Sequence, residues 1–174
     1  MTIVSTFYLT MRVLHVLCGA IWVGMAAFGA FFLMPAVHEA GPEGGKVTAA
    51  LERRGLVAFI PIMAVITVVS GFWLYWRYTG GLSPEISRTH AGLTFGVGGV
   101  LGLAAAILGA GVVSPAMARA GRLSREAAGL TDAAARTSTL AAAQQARQRG
   151  QTGARFVAVL LIVTVSLMSV ALLL

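Results

Sequence analysis

Apolar residues fill four stretches of the chain almost without interruption, at positions 13–37, 56–76, 91–113 and 156–174. Each is close to or above the ~20 residues that a helix needs to cross a hydrocarbon core about 30 Å thick. The intervals between them are polar and short, except for 116–154, which is rich in Ala, Gln and Arg, all good helix formers. Gly129 followed by Thr131 and Asp132 reads there as a helix stop and a new N-cap. The pattern predicts an all-α fold: an integral membrane four-helix bundle, one domain over residues 1–174. Helices three and four extend beyond the membrane as a hairpin that turns near 129–131. No internal repeat of 20–50 residues is evident. A cleaved signal peptide is the alternative for the first stretch, but that needs an apolar run of about 7–15 residues and a small-residue cleavage site. Here the run is longer and ends in Met34-Pro35-Ala36-Val37.

Composition agrees with the pattern: 57% of the 174 residues are hydrophobic, 11% are charged, and mean hydropathy is +0.84. The net charge of +7 raises nucleic acid as a partner. Its arginines are instead scattered over loops, with no aromatic interleaving and no soluble module to present them, so nucleic acid is excluded. Topology explains the charge better. Lys46, Arg53, Arg54, Arg119, Arg122, Arg125, Arg136, Arg147, Arg149 and Arg155 fall in the loops after helices one and three, against Arg12, Arg77 and Arg88 on the other side. Lys and Arg stay cytoplasmic. The expectation is a multi-pass protein of a bacterial-type inner membrane, both termini outside and 116–154 in the cytoplasm. That segment is either a solvated helical face or a surface for docking a partner, and a homo-oligomer is open. Trp73, Tyr75, Trp76 and Tyr78 read as an interfacial aromatic belt. Cys18 is the single cysteine, so no internal disulfide exists.

Two histidines carry the candidate chemistry. His15 opens "HVLCGAIWVG" near the outer end of helix one, and His90 opens helix three at the same side. His38 stands about 35 Å from His15 at a rise of 1.5 Å per residue and cannot join them. On the helix, His15 shares a face with Cys18, Gly19, Trp22 and Gly29, while "HAGLTFGVGGVLG" supplies Gly92-x3-Gly96 and Gly98-x3-Gly102. Small residues allow close helix approach or leave a slot for a flat ligand. An ionisable residue within a bundle faces a partner or a site. Imidazole suits zinc, copper and iron, but no second cysteine or inward carboxylate completes a structural zinc site. A haem needs only one or two axial ligands. Haem b with His15 and His90 as metal ligands, Gly19, Trp22 and Gly92 beside them, and Arg12, Arg77 or Arg88 on its propionates fits this inventory best. The bland readings stay open: His90 as an interfacial cap, His15 bonded to a carbonyl, and the glycines as packing alone. Copper held by Met25, Met34, Met63 or Cys18 is the alternative metal chemistry, and core filling is the plainer role for those residues.

The first-helix pattern His15-x6-Trp22-x-Gly24 resembles that of the HemJ-type membrane protoporphyrinogen oxidases. "LERRGLVAFIPIMAVITVVSGFWL" is similar to their second helix, with Glu52, Arg53, Arg54, Pro61, Met63, Gly71 and Trp73 in register. "THAGL" stands where that family carries His-x-Lys-Leu. The likeness covers about the first three helices and extends to the CopD-like copper-resistance membrane domains. It implies a small helical bundle holding haem b by histidine, with His15 the expected axial ligand and His90 the second candidate. Three features depart from it. The family's lysine is Gly92 here, the tyrosine-histidine pair later in the third helix is missing, and "ARFVAVLLIV" replaces a polar, proline-containing pattern before the last helix. Those departures argue against porphyrinogen oxidation. An electron-transfer module with a quinone or a periplasmic redox partner is expected instead, with a copper handler, a non-catalytic membrane subunit or, last, a divergent protoporphyrinogen oxidase as the other classes.

Overall fold

The computed structural model describes residues 5–174, the side chains of Pro42 and Leu172 excepted, and all of its regular structure is helical. Four helices are long and apolar enough to cross a membrane: α1 (Thr6–Glu39), α3 (Leu56–Tyr78), α5 (His90–Gly129) and α6 (Ala133–Val170). Two shorter helices, α2 (Gly41–Arg53) and α4 (Pro84–Ser87), join them. The outward surfaces of the long helices carry apolar side chains such as Leu17, Phe28, Ile62, Val69, Val100 and Ile107, all exposed. Water would penalise a contiguous surface of that kind, whereas lipid tails accept it.

Helix ends follow local chemistry. α1 starts at Thr6, seven residues before the apolar run, because the Ser5 hydroxyl accepts the Tyr8 N–H at 3.2 Å. Thr89 caps α5 by accepting from the Gly92 N–H at 3.1 Å, and the Asp132 carboxylate caps α6 through Ala134 and Ala135. α2 fills what reads from the sequence as loop. Pro42 falls in its first turn, where the missing N–H costs nothing, and a left-handed Gly55 (φ 83°) then turns the chain into α3.

α1 packs against α3 and α6, and α5 packs against the same two helices; α1 and α5 stand on a diagonal, with no packing contact of similar extent. The core cluster is Trp22, Ala64, Ala105, Val157 and Leu161. Within this arrangement the α1–α3 and α5–α6 pairs use the same contacts. A Cβ placed on Gly19 would meet Thr67 Cγ2 at 3.3 Å, and one on Gly102 would meet Thr164 Cγ2 at 3.5 Å. One turn outward from these contacts, His15 lies over Gly71 and Met168 over Gly98. Three residues the other way, Trp22 and Ala64 in one pair of helices and Ala105 and Leu161 in the other are all buried in the core cluster. The two helical pairs are thus one packing plan used twice, with the bulky partner moved from the first helix of the pair to the second.

α1 and α5 share a further device. Gly29–Leu33 and Gly109–Val113 are π-turns, each followed by a proline two positions on, Pro35 and Pro115. Proline removes a donor from the ladder, and the wide turn accommodates its ring. Both segments read Gly-Ala-x4-Pro-Ala.

Candidate functional site

His15 sits half-buried between α1 and α3. Its Nδ1 is 2.9 Å from the Thr67 carbonyl oxygen, and because a carbonyl only accepts, Nδ1 donates there. A Cβ on Gly71 would come within 2.6 Å of His15 Cε1 and 2.9 Å of Nδ1, so this edge of the ring rests on the only residue type that admits it. The hydroxyl of Thr67 is turned away to the Met63 carbonyl at 2.7 Å, which leaves its backbone oxygen as the acceptor for the imidazole. In the neutral tautomer that donates through Nδ1 to a carbonyl, Nε2 carries the lone pair, the arrangement that orients a histidine metal ligand.

The other expected site residues are placed less uniformly. His90 is the first residue of α5 and is exposed, and among the described residues no hydrogen bond ties it to His15, whose Nδ1 is bonded to Thr67. Arg12, Arg77 and Arg88 are exposed, and none takes part in an ion pair among the described residues. Trp22 is 5% exposed and belongs to the packing core. Gly19 receives Thr67. Gly92 is pressed against the α4 backbone: a Cβ there would lie 2.1 Å from the Ile86 carbonyl oxygen. The small-residue stripes therefore receive neighbouring side chains and backbone. Cys18 is buried, Met63 packs on the core cluster, and the described residues contain no group of three or more His, Cys, Asp or Glu able to hold a metal ion.

Tyr75 is the residue that the sequence reading misplaced. Of the four residues assigned to an interfacial belt, Trp76 and Tyr78 are exposed and Trp73 packs edge-on against Phe7 at 4.9 Å. Tyr75 turns inward, its hydroxyl donating to the Gly92 carbonyl oxygen at 3.1 Å, in space that a Cβ on Gly96 would close. Glycines four apart on α5, facing an aromatic one turn beyond Gly71, are the signal for it. Tyr75→Phe is expected to cost about 0.5–1.5 kcal/mol, read as a lower unfolding midpoint in detergent. An unchanged midpoint would mean that the hydroxyl contributes nothing to holding α3 on α5.

A second polar place lies at the opposite end of α1. Ala30, Met34, Pro35, His38 and Glu39 of α1 and Gln151 and Arg155 of α6 line a cavity of about 130 Å³. No protein-family model, curated protein or solved structure matches the chain.

Proposed function

We propose that this chain is a haem b-binding membrane protein with a redox or electron-transfer role, His15 being the axial ligand. The observation that carries the reading is the fixed imidazole: Nδ1 bonded to the Thr67 carbonyl, the ring edge seated on Gly71, and Nε2 without a hydrogen-bond partner among the described residues. Two stretches that resemble the HemJ-type pattern, one in the first helix and one in the second, supply His15 and Gly71 and meet at this contact. When bound, haem supplies one-electron chemistry, and the protein's share is to set ligand, polarity and access.

The residues fit the group in part. His15 has the donor chemistry and the backbone partner of an axial ligand. Arg12, Arg77 and Arg88 are free to offer guanidinium donors to carboxylates. The glycines do not provide a slot, since Thr67, Tyr75 and the α4 backbone occupy their faces. His90, exposed on the diagonal helix, is not required, because haem accepts one or two protein ligands.

Orientation belongs to the same proposal. The positive-inside bias puts both termini outside, the His15 end of the bundle near the outer face, and the hairpin formed by Ser114–Gly129 and the first half of α6 in the cytoplasm. Ser114–Gly129 packs along α6, with Ala120, Ala127, Ala143, Ala146 and Gly150 buried in that contact.

The absorption spectrum of the detergent-extracted protein tests the reading. A Soret band is expected, lost in His15→Ala and retained in His90→Ala. Absence of porphyrin absorbance, stoichiometric copper in its place, or an unchanged spectrum in His15→Ala would overturn it.

A further inference from the structure

The cavity between α1 and α6 lies at the end of the bundle opposite His15, where the apolar length of both helices stops. It gathers unlike charges. Arg155 and His38 offer N–H donors, Gln151 an amide, and Glu39 a carboxylate, yet neither Arg155 nor Glu39 takes part in an ion pair among the described residues. Lys46 and Glu43, the one ion pair among the described residues, do not line the cavity. Below the polar groups, Ala30, Met34 and Pro35 make an apolar floor.

The π-turn adds an acceptor. The Met34 N–H goes to the Gly29 carbonyl, and Pro35 has no N–H. The carbonyl of Ala30, a lining residue, therefore lacks both the donor four residues on and the donor five residues on. A buried carbonyl left in that state favours a donor from outside the helix. Glu39 stands in the last turn of α1, where the helix dipole also favours a positive group.

The space amounts to about 130 Å³. That is far below the size of a porphyrin and below the 300 Å³ or more of ordinary ligand pockets. A small group carrying one anion and one ammonium matches both size and charge.

We propose that this cavity binds a phosphoethanolamine group, the head of an aminophospholipid. Arg155, His38 and Gln151 hold the phosphate, and Glu39 with the Ala30 carbonyl receives the ammonium. The acyl chains leave along the apolar flanks of α1 and α6. This assignment stands independently of haem.

The test uses the purified full-length chain in detergent, with binding read as the shift of the thermal midpoint on titration. The probes are dihexanoyl-phosphatidylethanolamine, dihexanoyl-phosphatidylcholine, dihexanoyl-phosphatidylglycerol and free O-phosphoethanolamine. Phosphatidylethanolamine is expected to bind at least about fivefold more tightly than phosphatidylcholine, whose ammonium has no N–H. Binding of free O-phosphoethanolamine as tightly as the lipid would assign the site to the free compound; weaker binding assigns it to the lipid, and either supports the recognition chemistry. Glu39→Gln should erase the preference over phosphatidylcholine while leaving phosphatidylglycerol binding in place. Arg155→Gln should weaken all three lipids. Both side chains are exposed, and circular dichroism checks that helix content is kept. Equal affinity for the three lipids in the unaltered chain, or a preference that survives Glu39→Gln, would overturn the proposal.

Discussion

Gly71→Ala is expected to lower the unfolding free energy of the chain in detergent by about 1–3 kcal/mol, the usual cost of forcing an extra carbon into a packed contact. The added Cβ would lie 2.6 Å from His15 Cε1 and 2.9 Å from Nδ1, and the ring cannot withdraw without giving up its bond to the Thr67 carbonyl. The loss should vanish when His15 is already alanine, because the collision then has no partner. Four proteins decide it: the unaltered chain, each single variant and the pair, unfolded by a common denaturant titration. The coupling between the two sites is the measured quantity, and neighbours in contact typically show 0.5–3 kcal/mol of it. Equal losses in both backgrounds would mean that the imidazole does not rest on Gly71, and the fixed-ligand geometry would fall with it.

Gly92→Ala should cost more, about 3 kcal/mol or above, because the obstacle is backbone. Its Cβ would lie 2.1 Å from the Ile86 carbonyl oxygen and 3.0 Å from the carbons of Ser87, so the α4 corner has to move as a unit. The Tyr75 hydroxyl bond ends on the Gly92 carbonyl and would be disturbed with it. Gly99 on the same helix is the control. Nothing lies within 4 Å of a Cβ there, so alanine at that position should be neutral or should stabilise by a few tenths to about 1 kcal/mol through helix propensity. Similar midpoints for the two alanine variants would show that the corner is loose. Any side chain at position 92 would meet the same α4 backbone.

The contrast between these glycines shows where a linear reading stops. "HAGLTFGVGGVLG" displays five glycines that look alike in the sequence. Gly92 meets backbone, Gly96 meets a phenol, Gly98 and Gly102 meet side chains of α6, and Gly99 meets nothing. A pattern of small residues announces close approach without saying what approaches. Tyr75 is a similar case: beside Trp73 and Trp76 it reads as one more interfacial aromatic, and only the path of α3 past α5 turns its hydroxyl inward. The doubled packing plan was hidden for a different reason. His15 over Gly71 and Met168 over Gly98 fill the same kind of notch, but the large residue changes helix between the pairs. An aligned sequence then shows mismatches where the structure repeats a contact.

The four apolar helices were legible from residue order alone, because a run of about 20 apolar residues has few other stable fates and helical hydrogen bonding is local to each run. The Ser5, Thr89 and Asp132 caps are local for the same reason, each closed within three residues. His15 could be singled out by type and place. What it touches, the Thr67 carbonyl 52 residues away and the open face of Gly71, came only with the packing of α1 on α3. So did the exposure of His90 and the gathering of His38, Glu39, Gln151 and Arg155 around one cavity. Contacts between helices depend on rotation and register, which the summed volumes of all facing side chains set together, and no single stretch of sequence contains that sum.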